Sequence, residues 1–295
     1  MSGAGEAWLG QWIPSKAWGQ NYLINGGVIE KIVDLLPVQA RPVIEIGSGR
    51  GALTNELLAR RFEVIAIEPH RESAAYLTHR FGEDPHFSLR EEDATTLDFS
   101  SLLQAGESGV LAPGDIMSPG VLTPPGVLTP PGVLTPAVIG NLPYCVAARI
   151  LFALIRTGRA CSPWVLMFQR EVAQRIVAGP HSREYGLLSV VAQLAAGCTI
   201  CFHVSPGSFS PAPKITSSVV RFEPLPTRNV DWNALSVWLT RIFSMRRKQM
   251  GNILTSMLPA DRIKALRAAP PFSLQLRPEQ LSPEVHLDLF ERCRV

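Results

Sequence analysis

The sequence predicts a doubly wound α/β sheet over residues 1–226, followed by a small all-helical domain over 227–295. Three observations carry this. Short apolar segments alternate with stretches of helical period through the first 200 residues, as in a parallel sheet with crossover helices. A glycine-rich turn, Gly47-Ser48-Gly49-Arg50-Gly51, follows the first long apolar segment. From Asp231 onward the pattern is helical throughout, and the charge changes sign. Residues 1–200 carry a net −3 and residues 201–295 a net +6.

With 295 residues and 46% hydrophobic content, the chain can build one sizeable core and a smaller second one. It has no run of 18 uncharged apolar residues and no basic N-terminal region leading into an apolar core. Neither a membrane span nor a signal peptide is expected. Five cysteines, an odd number at irregular spacing, fit a reducing cytoplasm. Cys198-x-x-Cys201 lacks the second ligand pair of a zinc site, and its surroundings alternate as a buried strand does, so no metal is expected.

Taken in order, Val28, Ile29, Ile32, Val33, Leu35 and Leu36 recur at helical spacing after Gly19-Gln20-Asn21-Tyr22-Leu23. Pro42 to Ile46 reads as a strand, Ala52 to Arg61 as a helix, and Glu63 to Ile67 as a second strand ending in Glu68. Glu72 to Phe81 is helical, and His86 to Leu89 is a third strand that closes on Glu91-Glu92-Asp93. Then Pro-Gly-Val-Leu-Thr-Pro occurs three times in tandem, at 119–124, 125–130 and 131–136. Two prolines per unit exclude a helix and any central strand, so 104–136 is expected to be an exposed loop insert. Val138 to Tyr144 is a strand end. Beyond it come helices at 147–156, 169–178 and 187–196, and strands at 164–168, 199–204 and 217–222.

Two stretches carry chemistry. Glycines after the first strand let a ligand approach the backbone at the N-terminus of the next helix. An acidic residue closing the second strand accepts ribose hydroxyls, and Glu68 stands 21 residues after Gly47. A dinucleotide site is one reading. The Gly-x-Gly-x-Gly spacing, Glu45 just ahead of it, and a further carboxylate at Asp93 for an adenine amino group suit S-adenosylmethionine (SAM) better. The second stretch is Asn141-Leu142-Pro143-Tyr144, which presents an amide acceptor and a flat ring together at a strand end with little backbone freedom. That pair suits gripping the exocyclic amine of a base.

These motifs resemble one family, the ribosomal RNA adenine N6,N6-dimethyltransferases of the small subunit. The matches are Gly19 to Leu23, Glu45 to Thr54, Glu68, Asp93 and Asn141 to Tyr144. Further along are Gln169 to Arg175, Tyr185-Gly186, Phe209-Ser-Pro-Ala-Pro-Lys214 with Ser217, and Arg246-Arg247-Lys248. They run in family order from about 19 to 290. Ser48, Tyr22 and Met250 replace the family's usual Pro, Phe and Leu, and the repeats depart from its pattern.

The resemblance implies a Rossmann-like, SAM-dependent methyltransferase sheet with a C-terminal helical domain that binds rRNA. Gln20, Asn21, Leu23, Glu45, Gly47, Gly49, Glu68, Asp93 and Asn141 would surround SAM. Asn141, Leu142 and Tyr144 would hold the target adenine, with Phe209 on its other face. Lys214, Arg246, Arg247 and Lys248 would meet RNA phosphates. The expected partner is small-subunit (16S) rRNA in the 30S particle or its precursor, and the expected state is a monomer. Two alternatives share the scaffold: a macrolide-resistance methyltransferase of the large subunit, and a non-catalytic RNA-binding or transcription factor. Leu142 and the Arg246-Arg247-Lys248 stretch weigh against the first, and the intact Asn141, Tyr144, Glu68 and glycines against the second.

Overall fold

The computed structural model describes residues 21–99, 102, 135–157, 161–226, 228–268 and 272–293. Gln20 and repeat residues 119–134 lie outside them. The first elements are β1 (Tyr22–Leu23), α1 (Gly26–Val33), β2 (Ala40–Ile46), α2 (Ala52–Ala59), β3 (Val64–Ile67), α3 (Arg71–Phe81) and β4 (Phe87–Arg90). Then come β5 (Thr135–Asn141), α4 (Ala147–Thr157), β6 (Trp164–Gln169), α5 (Arg170–Val177), α6 (Leu187–Ala195), β7 (Ala196–Val204), β8 (Phe209–Ser210) and β9 (Ser217–Pro224). The C-terminal part holds α7 (Trp232–Ser244), α8 (Met250–Met257), α9 (Ala260–Ala268) and α10 (Pro283–Cys293), with a short 3-10 turn at Pro278–Gln280.

Seven strands form one sheet in the order β4-β3-β2-β5-β6-β9-β7. From β4 to β6 every pairing is parallel, as the alternation of strand and helix predicts. The last part differs, because β9 runs antiparallel to both β6 and β7. The cause lies in the connection. Parallel neighbours need a crossover element, and the twelve residues between Val204 and Ser217 hold only a 3-10 turn and β8. Strand β9 therefore turns back and inserts between β6 and β7. The chain winds from β2 toward β4 on one side and from β5 toward β7 on the other. The order thus reverses between β2 and β5, where α/β sheets open a crevice at the carboxyl ends of their strands.

Alternation along buried strands divides the core in two. Ile44, Ile46, Val138, Leu166, Phe168 and Phe222 face one side, against Leu151 and Leu154 of α4 and Val190, Val191 and Leu194 of α6. Val43, Val64, Ala137, Ile139, Val165 and Met167 face the other, against Ile32 and Val33 of α1 and Leu53 and Leu57 of α2. A third cluster, including Ile242, Met250, Ile253, Leu254, Leu281 and Leu289, gathers the C-terminal helices. Leu235 and Leu239 of α7 and Leu287 and Phe290 of α10 instead join the first core. Emptying one such site, by Leu239→Ala for example, costs about 2–5 kcal/mol.

The prolines correct one expectation. Thr135 and Pro136, the last residues of the third repeat, open the central strand β5. They can do so because the β2–β5 register slips there. Ala40 pairs Thr135 and Val43 pairs Ala137, so Arg41 and Pro42 together oppose Pro136. A bulge demands no ladder bond at that point, and two residues lacking an N–H are tolerated. The carbonyl of Pro136 still accepts from Ser162 N at 2.7 Å.

In the helical part, His286 of α10 is fully buried, and its ring centroid lies 5.3 Å from that of Phe243. Nε2 donates to the Pro278 carbonyl at 3.0 Å, while Nδ1 has no partner. Burial holds the imidazole neutral, with its pKa pulled down to about 4. A depressed histidine pKa contributes stability above the unfolded value of about 6.5, and that contribution is lost as pH falls toward the folded value. Urea unfolding at pH 7 and pH 4.5 should therefore show the wild type losing about 2 kcal/mol more than His286→Gln. Parallel pH dependences in the two proteins would contradict a buried neutral imidazole.

Candidate active site

Residues at the carboxyl ends of β2, β3 and β5 converge in the crevice at the point of strand-order reversal. Gly47, Gly49 and Gly51 all take positive φ, at 71°, 55° and 73°, so the chain coils tightly between β2 and α2. A side chain at Gly49 would also meet the Tyr22 ring, because a Cβ there would lie 2.9 Å from Tyr22 Cε1. On β5 a Cβ at Gly140 would stand 2.8 Å from the Ile46 carbonyl oxygen. Glycine there lets β5 approach the end of β2 closely.

Two carboxyl groups sit below and beside this turn. Glu45 is 1% exposed, and Thr54 Oγ1 donates to its Oε2 at 2.6 Å. Burial pushes its carboxyl up to about 7. Glu68 is 3% exposed and closes β3. Its Oε2 accepts from Gly49 N at 2.9 Å and its Oε1 from His70 N at 3.1 Å. Burial raises its pKa, while the two amides act against that rise. The sequence analysis expects Glu68 to accept ribose hydroxyls; it did not signal that Glu68 pins the glycine turn.

The tetrapeptide after β5 is held residue by residue. Asn141 Nδ2 donates to the Asn21 carbonyl at 3.0 Å, which leaves Oδ1 as the acceptor of that amide. Leu142 is 1% exposed, rooted in the first core. Tyr144 is half-buried, and its hydroxyl lies 2.7 Å from Ser217 Oγ. Residues 21–23 cross in front of the turn. Tyr22 and Leu23 form a two-residue antiparallel ladder with Ser210 and Phe209. The Arg50 guanidinium lies 5.3 Å from the centre of the Tyr22 ring.

Together these segments line a cleft with about 740 Å³ of empty volume, part of it open to solvent. Asn21, Leu23, Glu45, Gly47, Gly49, Glu68, Asn141, Leu142 and Tyr144 all line it. So do Tyr22, Arg50 and His70, whose roles the motifs did not signal. Asp93 is not among the lining residues. It is exposed beyond β4, and its Oδ1 accepts from Thr95 N at 2.8 Å. Phe209 is not among them either. It is 3% exposed and packed in the second core with Leu23, so its ring faces are covered by protein. The alternation of a β-strand, absent from a two-residue element, gave no way to tell its inward side.

Of the basic residues, Lys214, Arg247 and Lys248 are exposed. Arg246 is half-buried. It donates to the Arg183 carbonyl at 3.1 Å, and its Nε lies 4.0 Å from Glu279. Its contacts are those of a brace between α7 and the segments before α6 and α10. Among the described residues no group of three or more His, Cys, Asp or Glu could hold a metal ion, and no helix is long and apolar enough to cross a membrane. Cys198, half of the CxxC pair, lies on β7, with its thiol pushed up to about 12 by burial.

A family model described as ribosomal RNA adenine dimethylase matches residues 15–292. A protein of Acidobacterium capsulatum named ribosomal RNA small subunit methyltransferase A is 38% identical over 274 residues, 90% of this chain and 86% of its own length. Its namesake in Pseudomonas savastanoi pv. phaseolicola is 34% identical over 272 residues, 90% of this chain and 89% of the other. Among solved structures, a dimethyladenosine transferase from Plasmodium falciparum superposes with a TM-score of 0.65 at 22% identity, covering 90% of this chain and 95% of that one. The 23S rRNA methyltransferase ErmE gives 0.60 at 20% identity, covering 93% and 100%. At such identities the structures speak for the fold, while the residues matched by the family model include those of the cleft. The chain belongs to the ribosomal RNA adenine dimethylase family.

Proposed function

We propose that this protein is a SAM-dependent methyltransferase that dimethylates N6 of adenosines in small-subunit rRNA, acting on the 30S particle or its precursor. The observation that carries the reading is the Asn141 amide. With Nδ2 engaged by the Asn21 carbonyl, Oδ1 is its acceptor at the cleft. The cleft suits the cofactor on chemical grounds. It offers a buried carboxylate at Glu68 for vicinal hydroxyls, a second buried carboxyl at Glu45, and a glycine turn that admits close approach. Asn21, Leu23, Glu45, Gly47, Gly49 and Glu68 would hold it. Bound there, SAM supplies an electrophilic methyl group on a sulfonium.

The adenine amine is a poor nucleophile because its lone pair is delocalised into the ring. Asn141 Oδ1 and the Leu142 carbonyl accept its two hydrogens and hold them out of the ring plane, which returns the lone pair to nitrogen. The ring of Tyr144 supports the base after it leaves its stack, a move costing a few kcal/mol that stacking worth about 1–3 kcal/mol offsets. Phe209, covered in the core, is not needed for that support. The methylated nitrogen is a strong acid and gives up its proton to water, so no side chain has to act as base. The second methylation requires that Asn141 and Leu142 readmit an amine with one hydrogen. The names of the curated relatives support the small-subunit target.

Asn141→Ala is expected to lower kcat more than tenfold, about 1.4 kcal/mol or more, while SAM affinity by calorimetry stays within about threefold. A variant that keeps wild-type kcat would remove Asn141 from the mechanism.

Glu68→Ala should weaken SAM at least tenfold, since a charged acceptor is worth roughly 1.5–3 kcal/mol. Glu68→Gln should rescue little. An amide can accept from only one of the two backbone donors, Gly49 N and His70 N, and presents its own N–H groups to the other. Wild-type affinity in either variant would displace the cofactor from this end of the cleft.

Replacing Arg247 and Lys248 together with alanine should flatten the salt dependence of RNA binding by about two log–log units. Arg246→Ala should instead lower stability with the slope nearly unchanged. The opposite partition would reassign the brace and the contacts.

A further inference from the structure

The Tyr144 side chain is hydrogen-bonded to a side chain of another strand, and the group that holds it stands outside the cleft. Ser217 Oγ lies 2.7 Å from the Tyr144 hydroxyl. Ser217 is fully buried and is not among the cleft-lining residues. It opens β9 at the register position between Gln169 of β6 and Val204 of β7. The preceding carbonyl, Thr216, accepts from Arg170 N at 3.0 Å at the head of α5. The serine is therefore immobilised from both neighbouring strands and from the helix.

A tyrosine ring turns about two torsions, and the second of these is broad. The hydroxyl is the point farthest from the backbone, so a hydrogen bond there restrains ring tilt more than any contact near Cβ could. Burial raises the phenol pKa, so the group stays neutral and keeps its hydrogen bond across ordinary pH. A misplacement of about 1 Å at a reacting centre can cost about a hundredfold in rate.

Building on the base-binding role given to Tyr144 above, we propose that Ser217 is a positioning residue: it sets the tilt of the Tyr144 ring and thereby the height at which the adenine amine meets Asn141. It touches neither substrate nor cofactor. Its effect falls on the turnover step and not on cofactor affinity.

The test compares wild type, Ser217→Ala, Tyr144→Phe, the double variant, Ser217→Thr and Tyr144→Ala. Each is measured for methylation of unmethylated small-subunit particles and for SAM affinity by calorimetry. Ser217→Ala and Tyr144→Phe should each lower kcat about tenfold, the consequence of one lost or unsatisfied hydrogen bond. KM for the particle and SAM affinity should stay within about twofold. The double variant should lose no more than either single one, because both delete the same bond, and Ser217→Thr should recover at least half of wild-type kcat.

Wild-type kcat in Ser217→Ala, or losses that multiply in the double variant, would overturn the proposal. Should Ser217→Ala fail to fold, Tyr144→Phe alone decides: a tenfold kcat loss at unchanged SAM affinity supports the anchor, and full activity overturns it. Full activity in Tyr144→Ala would overturn both the anchor and the role of Tyr144, whereas an inactive Tyr144→Ala beside a wild-type Ser217→Ala would sink the anchor alone.

Discussion

The carboxylate of Glu68 is the interaction on which the site depends. It stands at the end of β3, yet its oxygens take the amides of Gly49 and His70, so one buried group ties a strand end to the turn after β2 and to the head of α3. Three glycines at positive φ form a turn with little intrinsic preference for one shape. An acceptor at a set distance selects one. A charge buried this deeply is costly, and the two backbone donors reduce that cost. The group that shapes this end of the cleft is thus the same one to which the proposed function assigns the cofactor's hydroxyls.

At the other end the logic repeats with neutral groups. The Asn21 carbonyl fixes the Asn141 amide and so distinguishes its oxygen from its nitrogen, which matters for an amide expected to accept hydrogens. Residue 21 belongs to the same segment whose neighbour, Tyr22, packs on the glycine turn. A segment of three described residues therefore touches the part of the cleft built by Glu68 and the part built by Asn141. Any shift of that segment is felt at both ends together.

The alternating pattern made the parallel half of the sheet, its helices and the glycine turn legible in the sequence, because periodicity and turn chemistry are local properties. The place of β9 was not legible: its residues 217–222 read as a strand, but strand direction is decided by the absence of a crossover helix behind it. Glu68 was legible by its spacing from Gly47. Its hold on the Gly49 amide, and the contacts of Thr54, Ser217 and the Asn21 carbonyl, join residues 9 to 120 apart. These residues stand in the matched motifs, but motif membership does not say which groups their side chains or carbonyls meet. Phe209 and Arg246 matched family motifs, yet their surroundings are a core and a brace. Motif membership tells which residue stands at a position, and packing decides what its side chain faces.

The bulge at Pro136 bears on how the chain tolerates its tandem hexapeptides. Each unit ends in Thr-Pro, and Thr135-Pro136, which open β5, are the end of the last unit. If a copying slip removed or added one whole unit, the new last unit would deliver the same Thr-Pro to the same bulge. Everything from Ala137 onward, pairing included, would keep its register. Unit number could then change without β5 recording it, whereas a slip that removed the last Thr-Pro itself would put a different residue opposite Arg41 and Pro42. Such a boundary lets a tandem repeat stand directly beside a central strand of the sheet.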